Sequence, residues 1–523
     1  MTIDRRRFLG GAASLGALLG CAPDEAMSPG ALGAPFGVPR PDQAHLLLSE
    51  AERPAGVLEL FLLGGMSPWE TFYVVPEYGK DAGDPRQWNT FQARGRPTLP
   101  EFMAKCGAGR APYEPWMKGG VPRQDALGTA VNLGPFVAAL RDRPDLLARM
   151  RVWVMAHSLE PHEAAIPLAI TGLPRGNPRQ AALGTHVQRY FTDTLGPRGV
   201  PYSYVVYQSS FAVDNNGDAA SAVGLHRAVS RPMAVHIQPG SPLALRLPRP
   251  TVSGFRDPLD ALVQHYTRRF EGRLSGLRAP GLSDFDSARA ALAQHEALAR
   301  LLPTDVLEPG LLQACHSEYA PSQIRGQVLD ETTASIGLAT RLLTAPTDAA
   351  RYVQVIEGGI FPDPEGQGYD SHAWHIEQQG INMMHMARVL SDNVNRPGEG
   401  DPRKLELDRH FVLLNTEFGR TPTPEVTVRN PQGFGTNHWP WGYVVVGFGS
   451  FVSEDRSGFT GAIGPDSLAV NPIDPTAHRA AMLLAMGIWP FHEAAFAVGD
   501  IRGASDEVSA AAYLRQRVLG VGA

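Results

Sequence analysis

Five apolar runs in this chain each stop at a cluster of polar, metal-capable or anion-binding residues. Val57–Leu63 leads into Gly64-Gly65-Met66-Ser67, Val152–Ala156 into His157 and His162, and Tyr352–Ile356 into a loop that reaches Asp370-Ser371-His372. Phe411–Asn415 leads into Thr416-Glu417-Phe418-Gly419-Arg420-Thr421, and Asn437-His438-Trp439 directly precedes the strand-like Tyr443–Val446. In an open parallel sheet the ligand sits in the crevice beyond the carboxyl ends of the strands. Endings of this kind from distant parts of the chain therefore predict an α/β fold with one shared, enzyme-like site.

The chain has 523 residues, 43% of them hydrophobic, enough for one large core or two smaller ones. A net charge of -6, with arginines scattered rather than clustered, offers no basic field, so nucleic acid is excluded as an expected partner. Arg5-Arg6-Arg7-Phe8-Leu9, a short weakly apolar stretch from Gly10 to Gly20, and Cys21 after Leu18-Leu19-Gly20 resemble a twin-arginine export signal ending in a lipobox. The expectation is export to the periplasm, with a lipid anchor on Cys21 or ordinary cleavage nearby. No other segment has the length of a membrane-spanning helix. Cys106 and Cys315 are the remaining cysteines; an oxidising compartment would allow them to pair, and neither has zinc-site spacing.

Residues 1–21 read as the signal, 22–50 as a Pro/Gly-rich linker, either a tether or an irregular covering strand, 51–505 as the folded domain and 506–523 as a C-terminal helix or tail. Apolar spacing becomes helical from 257 to 343, which predicts a helical insertion. Beyond Asp370, Ile376, Met383, Met384, Ala387 and Leu390 recur at helical spacing and read as a core-facing stripe.

Among the polar clusters, Asp370 and His372 are two residues apart at a strand-to-helix turn, where a carboxylate and an imidazole can face one cation; helix capping by Asp370 or Ser371 is the alternative. Glu417 and Arg420 flank Phe418-Gly419, as a structural ion pair or as a metal ligand or base beside an oxyanion clamp. Asn437 and His438 offer an amide oxygen and an imidazole to a cation, or a turn and a packed ring. His162 stands nine residues before Thr171-Gly172, at an expected helix start, as a cap or beside a bound anion.

The segments Gly368-Tyr369-Asp370-Ser371-His372, Thr416-Glu417-Phe418-Gly419-Arg420-Thr421-Pro422, Asn437-His438-Trp439-Pro440, and Asp474-Pro475-Thr476 with Met486-Gly487-Ile488 resemble the exported bacterial family named domain of unknown function 1501. The resemblance spans roughly residues 55 to 490 and implies membership by fold of the alkaline phosphatase and sulfatase superfamily. It implies a three-layer α/β/α sandwich and one or two divalent ions (zinc, calcium, magnesium or manganese) held by Asp370, His372, Glu417, Asn437 and His438. It places His162 where sulfatases carry their nucleophile, as nucleophile or ligand, with Arg420 on the oxyanion. The chain departs from the family at Asn437, where the family carries Asp, and at Tyr73, which ends Glu70-Thr71-Phe72-Tyr73 where the family reads Asp-Thr-Phe-Asp. An insertion, Ile360 to Gln367, also precedes Asp370.

The expected function is that of an exported, metal-dependent hydrolase acting on a small-molecule or glycan phosphate or sulfate ester. The alternative is a non-catalytic envelope lipoprotein of the same fold that binds an anionic glycan or a partner protein.

Overall fold

The structure is a computed structural model that describes residues 35–75, 78, 123–195, 204–208, 235–237, 261–262, 265, 330–346, 349–359, 368–372, 375–423, 425–426 and 435–522. Cys21, Cys106, Cys315, the export signal and most of the expected helical insertion lie outside the described residues. Among the described residues no helix is long and apolar enough to cross a membrane.

The apolar runs form an eight-stranded mixed sheet. Its strands are β1 (Gly56–Leu62), β2 (Met150–Met155), β3 (Tyr204–Gln208), β4 (Val235–Ile237), β5 (Tyr352–Glu357), β6 (His410–Asn415), β7 (Tyr443–Gly449) and β8 (Gly458–Thr460). They lie side by side in the order β8-β2-β7-β6-β1-β5-β3-β4. β1 pairs in parallel with β5 and β6, and β3 in parallel with β4 and β5, while β7 runs antiparallel to both β2 and β6. Because only β7 is reversed, β1, β2, β5 and β6 all end at one edge, and β7 begins there.

Alternate residues of each strand feed two separate cores, as the pleat requires. Leu58, Leu60, Val353, Val355, Val412 and Leu414 face one side, where α3 (Glu331–Leu343) and α4 (His375–Asn393) cover them. Met383, Met384, Ala387 and Leu390 of the expected stripe are in that core. Val57, Phe61, Trp153, Tyr352, Phe411 and Leu413 face the other side. There they meet α1 (His162–Thr171), α2 (Leu183–Leu195), α5 (Pro475–Ala485) and α6 (Glu507–Tyr513). The C-terminal segment is part of this layer: Leu514, Val518 and Leu519 are fully buried, and the Val518 carbonyl accepts from Trp153 Nε1 at 2.7 Å.

Helix ends follow ordinary capping chemistry. Asp474 Oδ1 accepts from the Ala477 N–H at 2.8 Å at the start of α5, with Pro475 in its first turn. Gly172 adopts a left-handed conformation that closes α1, so Thr171-Gly172 marks a helix end.

Candidate metal centre

At the carboxyl edge of the sheet, three imidazoles surround one carboxylate. His162 opens α1 after β2, Asp370 and His372 lie on the loop between β5 and α4, and His438 lies on a two-residue ribbon, His438–Trp439, paired antiparallel with Gly419–Arg420. His372 Nε2 is 3.1 Å and His438 Nε2 3.3 Å from Asp370 Oδ1, and the two Nε2 atoms are 3.1 Å apart. His162 Nε2 is 3.4 Å from Asp370 Oδ2. Donor atoms of His162, Asp370 and His438 all lie within 4.8 Å of one another.

The far side of each ring is tethered. His162 Nδ1 is 2.9 Å from Glu417 Oε1, His372 Nδ1 is 3.0 Å from Glu425 Oε2, and His438 Nδ1 is 2.9 Å from the Glu160 carbonyl. Carboxylate and carbonyl oxygens only accept, so each ring donates from Nδ1, which in a neutral imidazole leaves the Nε2 lone pair facing Asp370. His162 Nε2 is buried and makes no hydrogen bond. Three lone pairs and a carboxylate at such separations repel unless positive charge stands among them. His162, Asp370 and His438 therefore fit a cation, and His372 meets Asp370 and His438 at similar separations, because donors on a tetrahedral ion with bonds near 2.0–2.1 Å lie roughly 3.3 Å apart.

The same crowding favours a proton on His162 when no cation is bound. Burial opposes charge on His162, but Asp370 and Glu417 outweigh it and push its pKa up to about 9. Burial would raise Asp370, yet Arg420 and the surrounding imidazoles hold its carboxyl well below the usual carboxylate range. His438 is lowered, chiefly by burial.

The other expected site residues take different positions. Glu417 is fully buried behind His162, where Oε1 also accepts from the Gly64 N–H at 2.7 Å. Arg420 is likewise buried: Nη1 donates to Asp370 Oδ1 at 2.7 Å and to the Gly64 carbonyl at 3.1 Å, Nε donates to Thr436 Oγ1 at 3.2 Å, and Nη2 donates to the Thr436 carbonyl. It holds Asp370 from beneath rather than facing the cleft as an oxyanion clamp. Asn437 is exposed and its Oδ1 is engaged by the His438 N–H at 2.8 Å, a bond at the start of the ribbon. Tyr73 is buried in a structural role, donating to Asp125 and accepting from the Ile463 N–H at 2.7 Å.

Gly64 lets β1 end directly under this cluster. Its φ is +113°, and a Cβ there would overlap the backbone nitrogen of Asp370. A second layer lies deeper: His375 Nδ1 contacts Ser371 Oγ at 2.7 Å and Thr436 Oγ1 at 3.1 Å, and its Nε2 is 3.3 Å from Glu70 Oε2. Sequence reasoning missed Glu425, the Glu160 carbonyl and this brace. Glu425 sits in no motif, and a backbone carbonyl carries no residue signature; only the fold brings them to the rings.

No curated protein and no solved structure matches the chain. The model of the family described as "Protein of unknown function (DUF1501)" matches residues 55–510. That span takes in the whole sheet, helices α1 to α5 and every residue of the cluster, so the chain belongs to this family.

Proposed function

We propose that this protein is an exported, metal-dependent hydrolase of the alkaline phosphatase and sulfatase type, with a three-layer α/β/α sandwich, acting on a phosphate or sulfate ester. The observation that carries the reading is the convergence of three Nε2 atoms on Asp370 at the carboxyl edge of the sheet. A divalent cation bound there would polarise an ester oxygen and acidify an attacking water. Asp370 supplies its charge, and His162, His372 and His438 supply directional lone pairs. Arg420 keeps Asp370 ionised and fixed. His162 acts in this reading as a ligand, because Nδ1 is held by Glu417 and Nε2 points at Asp370, which leaves water as the nucleophile.

One observation favours a second reading, an envelope protein that binds an anion without turning it over: Arg420 is engaged inward and is not presented to an oxyanion. Assaying the purified, metal-loaded protein on p-nitrophenyl phosphate and sulfate separates the two. The hydrolase reading expects turnover that Asp370→Asn reduces by at least about 10²-fold, in line with the loss of a group stabilising transition-state charge. Folded, metal-loaded protein inert toward both esters leaves the binding reading in place.

A further inference from the structure

The histidine-rich makeup of the cluster says which cations it accepts. Magnesium and calcium take oxygen ligands and bind through carboxylates, carbonyls and water. Imidazole nitrogens suit zinc and its first-row neighbours. Here three of the four converging groups are imidazoles, and Asp370 is the one carboxylate among them. The two other nearby carboxylates, Glu417 and Glu425, are spent on the Nδ1 sides of His162 and His372. Glu417 Oε1 also accepts from the Gly64 N–H, which fixes it to the end of β1.

We propose that His162 Nε2, His372 Nε2, His438 Nε2 and Asp370 form one site for a zinc-class cation, selective against magnesium and calcium, and that Glu417 and Glu425 are positioning residues acting through His162 and His372. The proposal rests on the metal-binding half of the hydrolase reading and not on turnover. Outer carboxylates of this kind fix the ring tautomer and raise ligand basicity; removing one typically lowers metal affinity about 10–100-fold. Glu425 is the better probe of the two, because Glu417 also supports the β1 turn.

The test uses the full chain, stripped with a chelator and titrated with Zn²⁺ against a chromophoric competitor, with no ester present. The expected result is one zinc per chain, undiminished by millimolar Mg²⁺ or Ca²⁺. With Co²⁺ as a spectroscopic probe, Glu425→Gln should keep the visible absorption band but weaken Zn²⁺ binding about 10–100-fold. His438→Ala should change the band itself, because it removes a ligand. Absence of stoichiometric zinc in the folded wild-type protein, or displacement of zinc by Mg²⁺ or Ca²⁺, overturns the proposal; so does a Glu425→Gln variant whose Co²⁺ band changes as that of His438→Ala does. Zinc binding without ester hydrolysis supports this inference and sinks the hydrolase reading. Turnover sustained by Mg²⁺ in a protein that does not retain zinc does the reverse.

Discussion

Glu59 lies in the middle of β1 with its side chain buried beneath α5, and four donors from three other elements, α5, β5 and β6, close on it. Arg479 donates to Oε1, as does Asn415 Nδ2 at 3.0 Å, while Tyr352 OH and Gln354 Nε2 reach Oε2 at 2.6 and 3.0 Å. Arg479 Nε and Asn415 Nδ2 also bond the Ala169 carbonyl of α1, the helix that begins at His162. A buried charge without its partner is costly, whereas an apolar pair of similar volume is not. Arg479→Met should therefore cost about 3–5 kcal/mol by urea unfolding, and adding Glu59→Gln, which removes the unpaired charge and keeps an acceptor for Tyr352 and Gln354, should recover part of it. A double variant as unstable as the single one would show that the network is held by something other than this pair. Nothing in the Val57–Leu63 run marks Glu59 as a hub, because a lone acid in an apolar strand carries no sign of what packs over it. Asp370, His372 and His438 were legible for the opposite reason: they flank strands and belong to short motifs. Arg420 was legible in kind but not in direction, since a guanidinium that reaches a ligand from below looks the same in sequence as one that reaches a substrate from above.

Strands were readable as elements, but their directions were not. The run Tyr443–Val446 identifies β7, yet only the ribbon at Gly419–Arg420 and His438–Trp439 turns the chain back along the same edge, and antiparallel neighbours can be joined in this way where parallel ones cannot. At the end of β5 the element carries its own titration. Burial pushes the Glu357 carboxyl up to about 7, opposed by hydrogen bonds from Thr332 Oγ1 at 2.6 Å and the Gly359 N–H at 3.0 Å. The unfolded chain, at its ordinary value of 4.5, gives up this proton first. Between about pH 4.5 and 7 the folded state therefore binds the extra proton, and stability falls as pH rises, by up to about 3 kcal/mol. Glu357→Gln keeps the acceptor for both donors and removes the titration. Denaturant unfolding of wild type and variant at pH 5 and pH 8 should show the variant gaining relative to wild type at the higher pH. A difference that does not change with pH would mean that Glu357 is ionised throughout in the folded protein.

Across the whole molecule, the cluster joins elements far apart in the chain. β1 contributes the Gly64 turn, α1 His162, the loop before α4 Asp370 and His372, and the ribbon before β7 His438. Each piece was visible in sequence as a polar segment beside an apolar run, while their meeting follows from strand order, which depends on connections that no local pattern encodes. Because these elements span the sheet and both helical layers, a cation binding only the assembled site stabilises the folded state as a unit, by about 2.7 kcal/mol when its free concentration is a hundred times the dissociation constant. Chelation should lower the melting temperature of the whole domain by a few degrees, and restoring Zn²⁺ should reverse the shift. His438→Ala should melt at nearly the same temperature with or without the ion. If zinc raises the melting temperature of His438→Ala as much as that of wild type, the stabilising ion is bound elsewhere, and the three rings are held around Asp370 by protons rather than by a metal.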